Sequence, residues 1–358
     1  MNTLAAPTVH KSTATAYYGW FDWLRLAAAL LVLLSHENLF AWDSAGNFGV
    51  QVFFALSGWL IGGILCRTEQ SALKRFYFNR ALRIWCPYLL ALTFLLAASL
   101  LHDRITHKWV EIVFYKLTFV YNIFGPPQLA HFVAQFPLQG TGNHFWSVNA
   151  EEQFYLLAPL LLVLLPRKIG RSVVTWGVLA VLAYVAHIYA SIVFGVLAAV
   201  CAYRFGAFNE SRWCRILSLS AALAAAAALT AGFDYELLVP FCAIGIVLFL
   251  AIPQKTTRIG TFAGGISYPL YLNAWVPAIA VNAIFKHFAI ANEPLRLTLV
   301  TIACLLFASI LYQCFDRQIL RNRQRLYTPR RATIAVVLAY GAVALGSSVG
   351  LVLYFFRR

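Results

Sequence analysis

Eleven apolar runs decide the fold class of this chain before any motif is considered. They lie near residues 20–40, 48–66, 84–101, 146–166, 172–189, 191–205, 214–232, 235–252, 266–287, 295–315 and 332–356. A helix of about 20 apolar residues covers the roughly 30 Å of hydrocarbon in a bilayer. Inside hydrocarbon every backbone N–H and C=O must be satisfied within the segment, so such runs are read as helices. Only 11% of the 358 residues are charged and 61% are hydrophobic, too few charges to coat a soluble domain of this length. The expected fold is all-α: a polytopic membrane protein of about eleven transmembrane helices, ten in the core and one at the C-terminus. The region 172–205 is the weakest part of the count, because two short spans abut there. Residues 1–19 are polar and lack the apolar stretch of a signal peptide, so the first span is expected to be retained.

A net charge of +15 raises the question of nucleic acid, and its distribution answers it. With the N-terminus inside, 20 of the 28 Lys and Arg fall on cytoplasmic segments: Lys11 and the clusters in 67–83, 167–171, 204–215, 255–258 and 317–331. Seven fall on the opposite face (Arg104, Lys108, Lys116, Lys286, Arg296, Arg357, Arg358), and Arg25 lies within the first span. This is the positive-inside bias at every loop, so the basic charge is topological and no nucleic-acid partner is expected. Seven scattered cysteines show neither a disulfide framework nor zinc-like spacing, and no metal site is expected. The chain divides into a cytoplasmic segment 1–19, a membrane domain 20–316, and a basic loop with a peripheral last helix, 317–358. The outer segment 102–145, aromatic and broken by Pro and Gly, reads either as a lid or re-entrant element or as an interfacial helix anchoring the loop.

Four clusters carry groups that are costly to place in a membrane. The first, Asp22-x-x-Arg25…Ser35-His36-Glu37, lies on the first span. Eleven residues at about 100° each return to within about 20° of the start, so Arg25 and His36 share a face, roughly 16 Å apart. Asp22, three residues before Arg25, is placed to pair with it and reduce the cost of burying the cation. His36 can serve near neutral pH as general base or as nucleophile; a histidine that only hydrogen-bonds a neighbouring helix is the competing reading. The second cluster, Ser57-Gly58 within FFALSGWLIGG, lets a backbone or an elongated ligand approach closely, and Ser57 is either a substrate contact or bonded to its own helix.

In the third cluster, Arg80 and Arg83 face the same way at the cytoplasmic start of the third span. Two guanidinium forks at the mouth of a bundle suit phosphate, whereas Lys74 and Arg75 fit topogenic charge better. The fourth, His144-Phe145-Trp146-Ser147-Val148-Asn149-Ala150-Glu151-Glu152, opens the fourth span from the outer side. Counting inside-out puts Glu151 at the depth of His36, where a carboxylate would orient the imidazole. Acids favoured by a helix N-terminus are the alternative, and they account poorly for two glutamates in a membrane.

With these residues in hand, the chain resembles acyltransferase family 3, integral-membrane enzymes that O-acylate cell-surface glycans and other acceptors. FDWLRLAAALLVLLSH is similar to the family's opening helix, and GVQVFFALSGWLI, NRALRIWCPY, FWSVNAEEQFYLLAP and ISYPLYLNAW to its later motifs in the same order, over roughly residues 20–315. The resemblance implies a ten-helix acyltransferase core, a cytoplasmic acyl-CoA donor, usually acetyl-CoA, and a hydroxyl acceptor beyond the membrane. It implies no permanently bound cofactor. Ala274 stands where many relatives carry His, with Asn273 beside it as a possible substitute.

The expected assignment follows from residues and resemblance together. His36 and Glu151 are catalytic; Arg25, Arg80 and Arg83 hold the donor; Ser57, Trp146, Ser147, Glu152 and Asn273 line the substrate path. The expected partners are acyl-CoA, a glycan or lipid-linked oligosaccharide, and the lipid bilayer, in a bacterial cytoplasmic membrane. The hydrolase-like domain that some relatives append is not in this sequence, so one chain is expected both to take and deliver the acyl group or to hand it to a partner. A polytopic transporter or glycan flippase is the rival, but the paired broken helices of two related halves are not seen.

Overall fold

The computed structural model describes residues 17–356, and the chain in that range is helical, without strands. The main helices are α1 (Gly19–His36), α2 (Ala45–Leu65), α3 (Leu73–His102), α4 (His107–Leu117), α5 (Phe145–Pro159), α6 (Val173–Val185) and α7 (Ala190–Phe205). They continue as α8 (Arg212–Thr230), α9 (Tyr235–Leu250), α10 (Arg258–Asn273), α11 (Trp275–His287), α12 (Glu293–Leu311), α13 (Arg317–Leu326) and α14 (Pro329–Phe355). Each apolar run read from the sequence contains helix. Among the described residues, five helical stretches are long and apolar enough to cross a membrane: Ala45–Leu65, Gln70–His102, Arg212–Thr230, Glu293–Leu326 and Pro329–Phe356. Lys11, Arg357 and Arg358, with most of the 1–19 segment, lie outside the described residues.

Local chemistry sets several of the ends. Side chains of Thr106, Ser172, Asp234, Thr257, Asn292 and Thr328 each accept a hydrogen bond from the backbone N–H three residues on, satisfying one of the donors a helix start leaves free. The run 266–287, expected as one span, is instead two helices that meet at Ala274. Pro277 has no N–H to give the carbonyl of Asn273 four residues back, and the ladder opens there. Two helices also end in a π-helical turn, Leu160–Leu164 after α5 and Tyr312–Asp316 after α12. The second of these brings Tyr312 and Asp316 to the wall of the cavity described below.

α2 is the axis of the bundle. It packs against α1 on one side and most extensively against α7 on another, with α9 and α5 completing its surround. A Cβ on Gly58 would overlap the carbonyl of Ile192, and one on Gly195 would overlap the carbonyl of Ala55. The two helices therefore touch backbone to backbone, as small residues permit between helices in lipid. α10 lies along α1 and α12. The last helix, α14, buries a stripe of Ala332, Ala339, Gly346 and Gly350. These lie against α3 and the outer segment, and the Tyr340 hydroxyl bonds both the Tyr77 hydroxyl and the Leu156 carbonyl at 2.8 Å. The rest of its residues are exposed or half-buried.

The outer segment has two parts. Its first part is the helix α4, and its second is a series of short turns that pack Tyr121, Phe124, Leu129 and Phe136 around Ile112 and Tyr115. Lys116 is buried within it, donating to the Gly142 carbonyl at 2.8 Å and standing 3.7 Å from the centroid of the Tyr121 ring. Burial lowers the pKa of this lysine well below the usual value. The bond pins the strand of loop that leads into α5.

Candidate active site

A cavity of about 430 Å³ lies among the helices, and half of the functional residues read from the sequence converge on it. Arg25 of α1, Ser57 of α2, Arg80 and Arg83 of α3 and Glu151 of α5 all line it, together with Tyr155, Tyr268, Tyr312 and Asp316. Three guanidinium groups from two helices therefore face one space. Arg25 is paired with Asp22 at 3.2 Å, and Asp22 also accepts a hydrogen bond from the Tyr17 hydroxyl. α10 comes this close because Gly264 and Gly265 present no side chains: a Cβ on the first would overlap the Asp22 carboxylate and on the second the Tyr312 ring.

The arginines are held by more than charge. The Arg80 guanidinium lies 5.8 Å from the centroids of both Phe76 and Tyr155, and its Nε is buried without a hydrogen-bond partner. The Tyr268 hydroxyl, also on the cavity wall, is likewise buried and unpartnered. Buried donors left open cost about 1–3 kcal/mol each, so a pair of them on one cavity marks where a ligand would supply acceptors. Phosphate oxygens answer that description, and guanidinium forks match them in geometry.

Glu151 does not reach His36. Its carboxylate accepts hydrogen bonds from the Ser57 and Tyr155 hydroxyls and belongs to the cavity. The residue of that motif which meets His36 is His144, with ring centroids 6.0 Å apart at 73°. Seven residues separate His144 from Glu151, about 10 Å of rise along a helix, so α5 enters the bundle with its glutamate about two turns below the expected depth. His36 takes its orientation from its own helix: Nδ1 lies 2.7 Å from the Val32 carbonyl, which makes Nδ1 the donor and leaves Nε2 with a free lone pair. The His36 side chain is exposed at the end of α1. Its neighbour Glu37 is buried and clamped by Arg296, which also bonds Asn282 and Glu293.

The other expected residues separate into two layers. Ser147 shares a 2.6 Å hydrogen bond with the Tyr271 hydroxyl, which also donates to the His144 carbonyl at 2.9 Å. Trp146 packs edge-on to Phe54 at 5.9 Å. Glu152 accepts from the Trp85 indole at 2.9 Å, with its second oxygen buried and unpartnered. Asn273 donates to the Pro269 carbonyl at 3.2 Å, and its side-chain oxygen is buried without a partner. None of Trp146, Ser147, Glu152 and Asn273 lines the cavity with the arginines. Phe53 stands at the boundary: it lines the cavity, and its ring lies 5.9 Å from Tyr271.

Sequence reasoning gave no role to Tyr155, Tyr268, Tyr312, Asp316 or His144. Tyr155 was within reach, because it lies four residues after Glu151 and so on the same helix face. The others depend on how separate helices are set against one another.

The comparisons agree with this architecture. A family model described as Acyltransferase domain matches residues 18–313, which takes in Arg25, Ser57, Arg80, Arg83 and Glu151. O-acetyltransferase OatA of Staphylococcus aureus, in strains NCTC 8325 and COL, is 28% identical over 214 residues, 54% of this chain and 34% of OatA. The chain thus matches about a third of the length of these curated relatives. No solved structure matches it. On the family match, which covers most of its length, the chain belongs to acyltransferase family 3.

Proposed function

We propose that this protein is a membrane-bound O-acyltransferase, moving an acetyl group from cytoplasmic acetyl-CoA to a hydroxyl of an extracytoplasmic envelope glycan or lipid-linked oligosaccharide. The observation that carries the reading is the division of labour along α1: Arg25 joins Arg80 and Arg83 in the cavity, and His36 is exposed at the other end of the same helix. The donor's phosphates would sit on the three guanidiniums, with the Tyr268 hydroxyl as a further donor. The pantetheine arm would run along α1 past Ser57 and Phe53 towards His36. There the acceptor hydroxyl gives up its proton to His36 Nε2, the ring nitrogen that Val32 leaves free. Glu151, tied to two hydroxyls beside the cations, moderates the positive charge of the cavity. Names of relatives such as OatA support acetyl as the group transferred.

Donor binding is the direct test. Arg83→Ala is expected to weaken acetyl-CoA binding to the purified protein by about 1.5–3 kcal/mol, the loss of a charge-assisted contact. Arg83→Lys should recover only part of it, because an ammonium lacks the planar fork. Calorimetric titration giving unchanged affinity in a folded Arg83→Ala protein would assign this residue to topology.

The orientation proposed for the enzyme, with the N-terminus and the cavity mouth in a bacterial cytoplasm, rests on the basic loops. Reporter fusions within 317–331 should read as cytoplasmic, and an external reading there would reverse donor and acceptor sides.

A further inference from the structure

The last turn of α1, which carries His36, is fastened at three points. The first fastening is local. Asn38 takes a left-handed backbone with φ 57°, its N–H donates to the Ser35 carbonyl at 3.1 Å, and the Leu39 N–H donates to the Leu34 carbonyl at 3.0 Å. This is the Schellman ending of a helix, with Asn where glycine is commonest. The second comes from α2, whose Gly46 N–H donates to the Ser35 hydroxyl at 3.1 Å. The third comes from α12, 259 residues further along the chain. Arg296 Nη1 donates to the Glu37 carboxylate, and Nη2 donates to the Glu37 backbone carbonyl at 3.3 Å. Asn282 of α11 donates to the same carboxylate at 3.2 Å and accepts from Arg296 Nη1 at 2.6 Å.

Stability does not explain this ion pair. Only 9% of the Glu37 side chain and 18% of that of Arg296 are exposed, so both charges have lost much of their water. Apolar side chains of similar volume would hold the helices together as well, without that desolvation. What the pair adds is direction. A guanidinium fork that grips both the side chain and the main chain of one residue fixes its height and its rotation. The residue gripped is the neighbour of His36, at a helix end, where the backbone otherwise frays. The imidazole cannot hold this position alone, because its own anchor, the Val32 carbonyl, lies on the same helix and moves with it. Resting on the transferase reading above, we propose that Arg296 is a positioning residue for His36. Through Glu37 it keeps the end of α1 where Nε2 meets the acceptor hydroxyl. A displacement of about 1 Å at a reacting group can lower a rate by on the order of 10²-fold.

Steady-state kinetics on the full-length protein in detergent test the assignment, with acetyl-CoA as donor. The acceptor is whichever of a panel of envelope-type oligosaccharides the wild type acylates. The double variant Glu37→Gln/Arg296→Met removes both charges with little change of volume, so no buried charge is left alone and melting should stay close to wild type. Its kcat is expected to fall by about 10–10²-fold, with KM and equilibrium affinity for acetyl-CoA within about twofold of wild type. Arg296→Lys keeps the charge but, as a point charge, cannot span the Glu37 carboxylate and carbonyl together. Its kcat should fall between those of the double variant and the wild type. Glu293→Gln removes the other carboxylate that Arg296 holds, which is 63% exposed, and should cost less than about twofold. Four results would overturn the proposal and leave the transferase reading in place: wild-type kcat in the double variant, a loss of donor affinity matching its loss of kcat, an Arg296→Lys protein no faster than the double variant, or an equal loss in Glu293→Gln. A wild type that acylates nothing in the panel would overturn the transferase reading instead.

Discussion

His36→Ala is expected to reduce acyl transfer by about 10²–10⁴-fold, the contribution of a positioned general base, while leaving acetyl-CoA binding close to wild type. The two effects separate because of where the residue sits. His36 is exposed at the end of α1, whereas Arg25, Arg80 and Arg83 line a cavity that His36 does not line. Truncation there removes an exposed imidazole that does not line the donor pocket, so the pocket is expected to keep its shape. Transfer kinetics and equilibrium donor binding, measured on the same purified sample, check the expectation. Wild-type turnover by His36→Ala would remove the base from the mechanism. A matching loss of donor affinity would show that the two ends of α1 are not independent.

The second large effect is structural. Gly58→Val should cost about 3 kcal/mol, at the upper end of ordinary overpacking, and should show as a lowered melting temperature in detergent together with lost donor binding. A side chain at 58 meets the backbone carbonyl of Ile192, which cannot rotate away as a side chain would. The only relief is to move α7 off α2, which also breaks the reciprocal contact of Gly195 with Ala55. Ser57, one residue earlier, would then lose its place beside Glu151. Substitution at Gly177, where an added Cβ meets nothing within 4 Å, is the matched control and should leave melting within about 0.5 kcal/mol of wild type. Equal melting of the two variants would show that α2 and α7 do not need backbone contact.

Much of this molecule can be read from the order of its residues, because hydropathy and helical spacing are local properties. The apolar runs predict the helices, and a separation of three residues predicts the Asp22–Arg25 pair seen at 3.2 Å. The same arithmetic puts Arg80 and Arg83 on one face, and both line the cavity. Pro277 could have announced the break at Ala274, since a missing N–H four residues on is visible in the sequence; the apolar run masked it. What spacing along one helix cannot supply is the offset between helices. Inside-out counting locates the start of a span to within a turn or two, about 5–10 Å, whereas a hydrogen bond tolerates a fraction of an ångström. That difference moved Glu151 from His36 to the cavity and put His144 in its place. The fold class, the Asp22–Arg25 pair and the placing of Arg80 and Arg83 together were thus determined by sequence alone. Which motif residue meets the histidine, and which buried groups are left open for a ligand, was decided only when the glycine contacts and the Lys116 anchor set the depth of each helix against its neighbours.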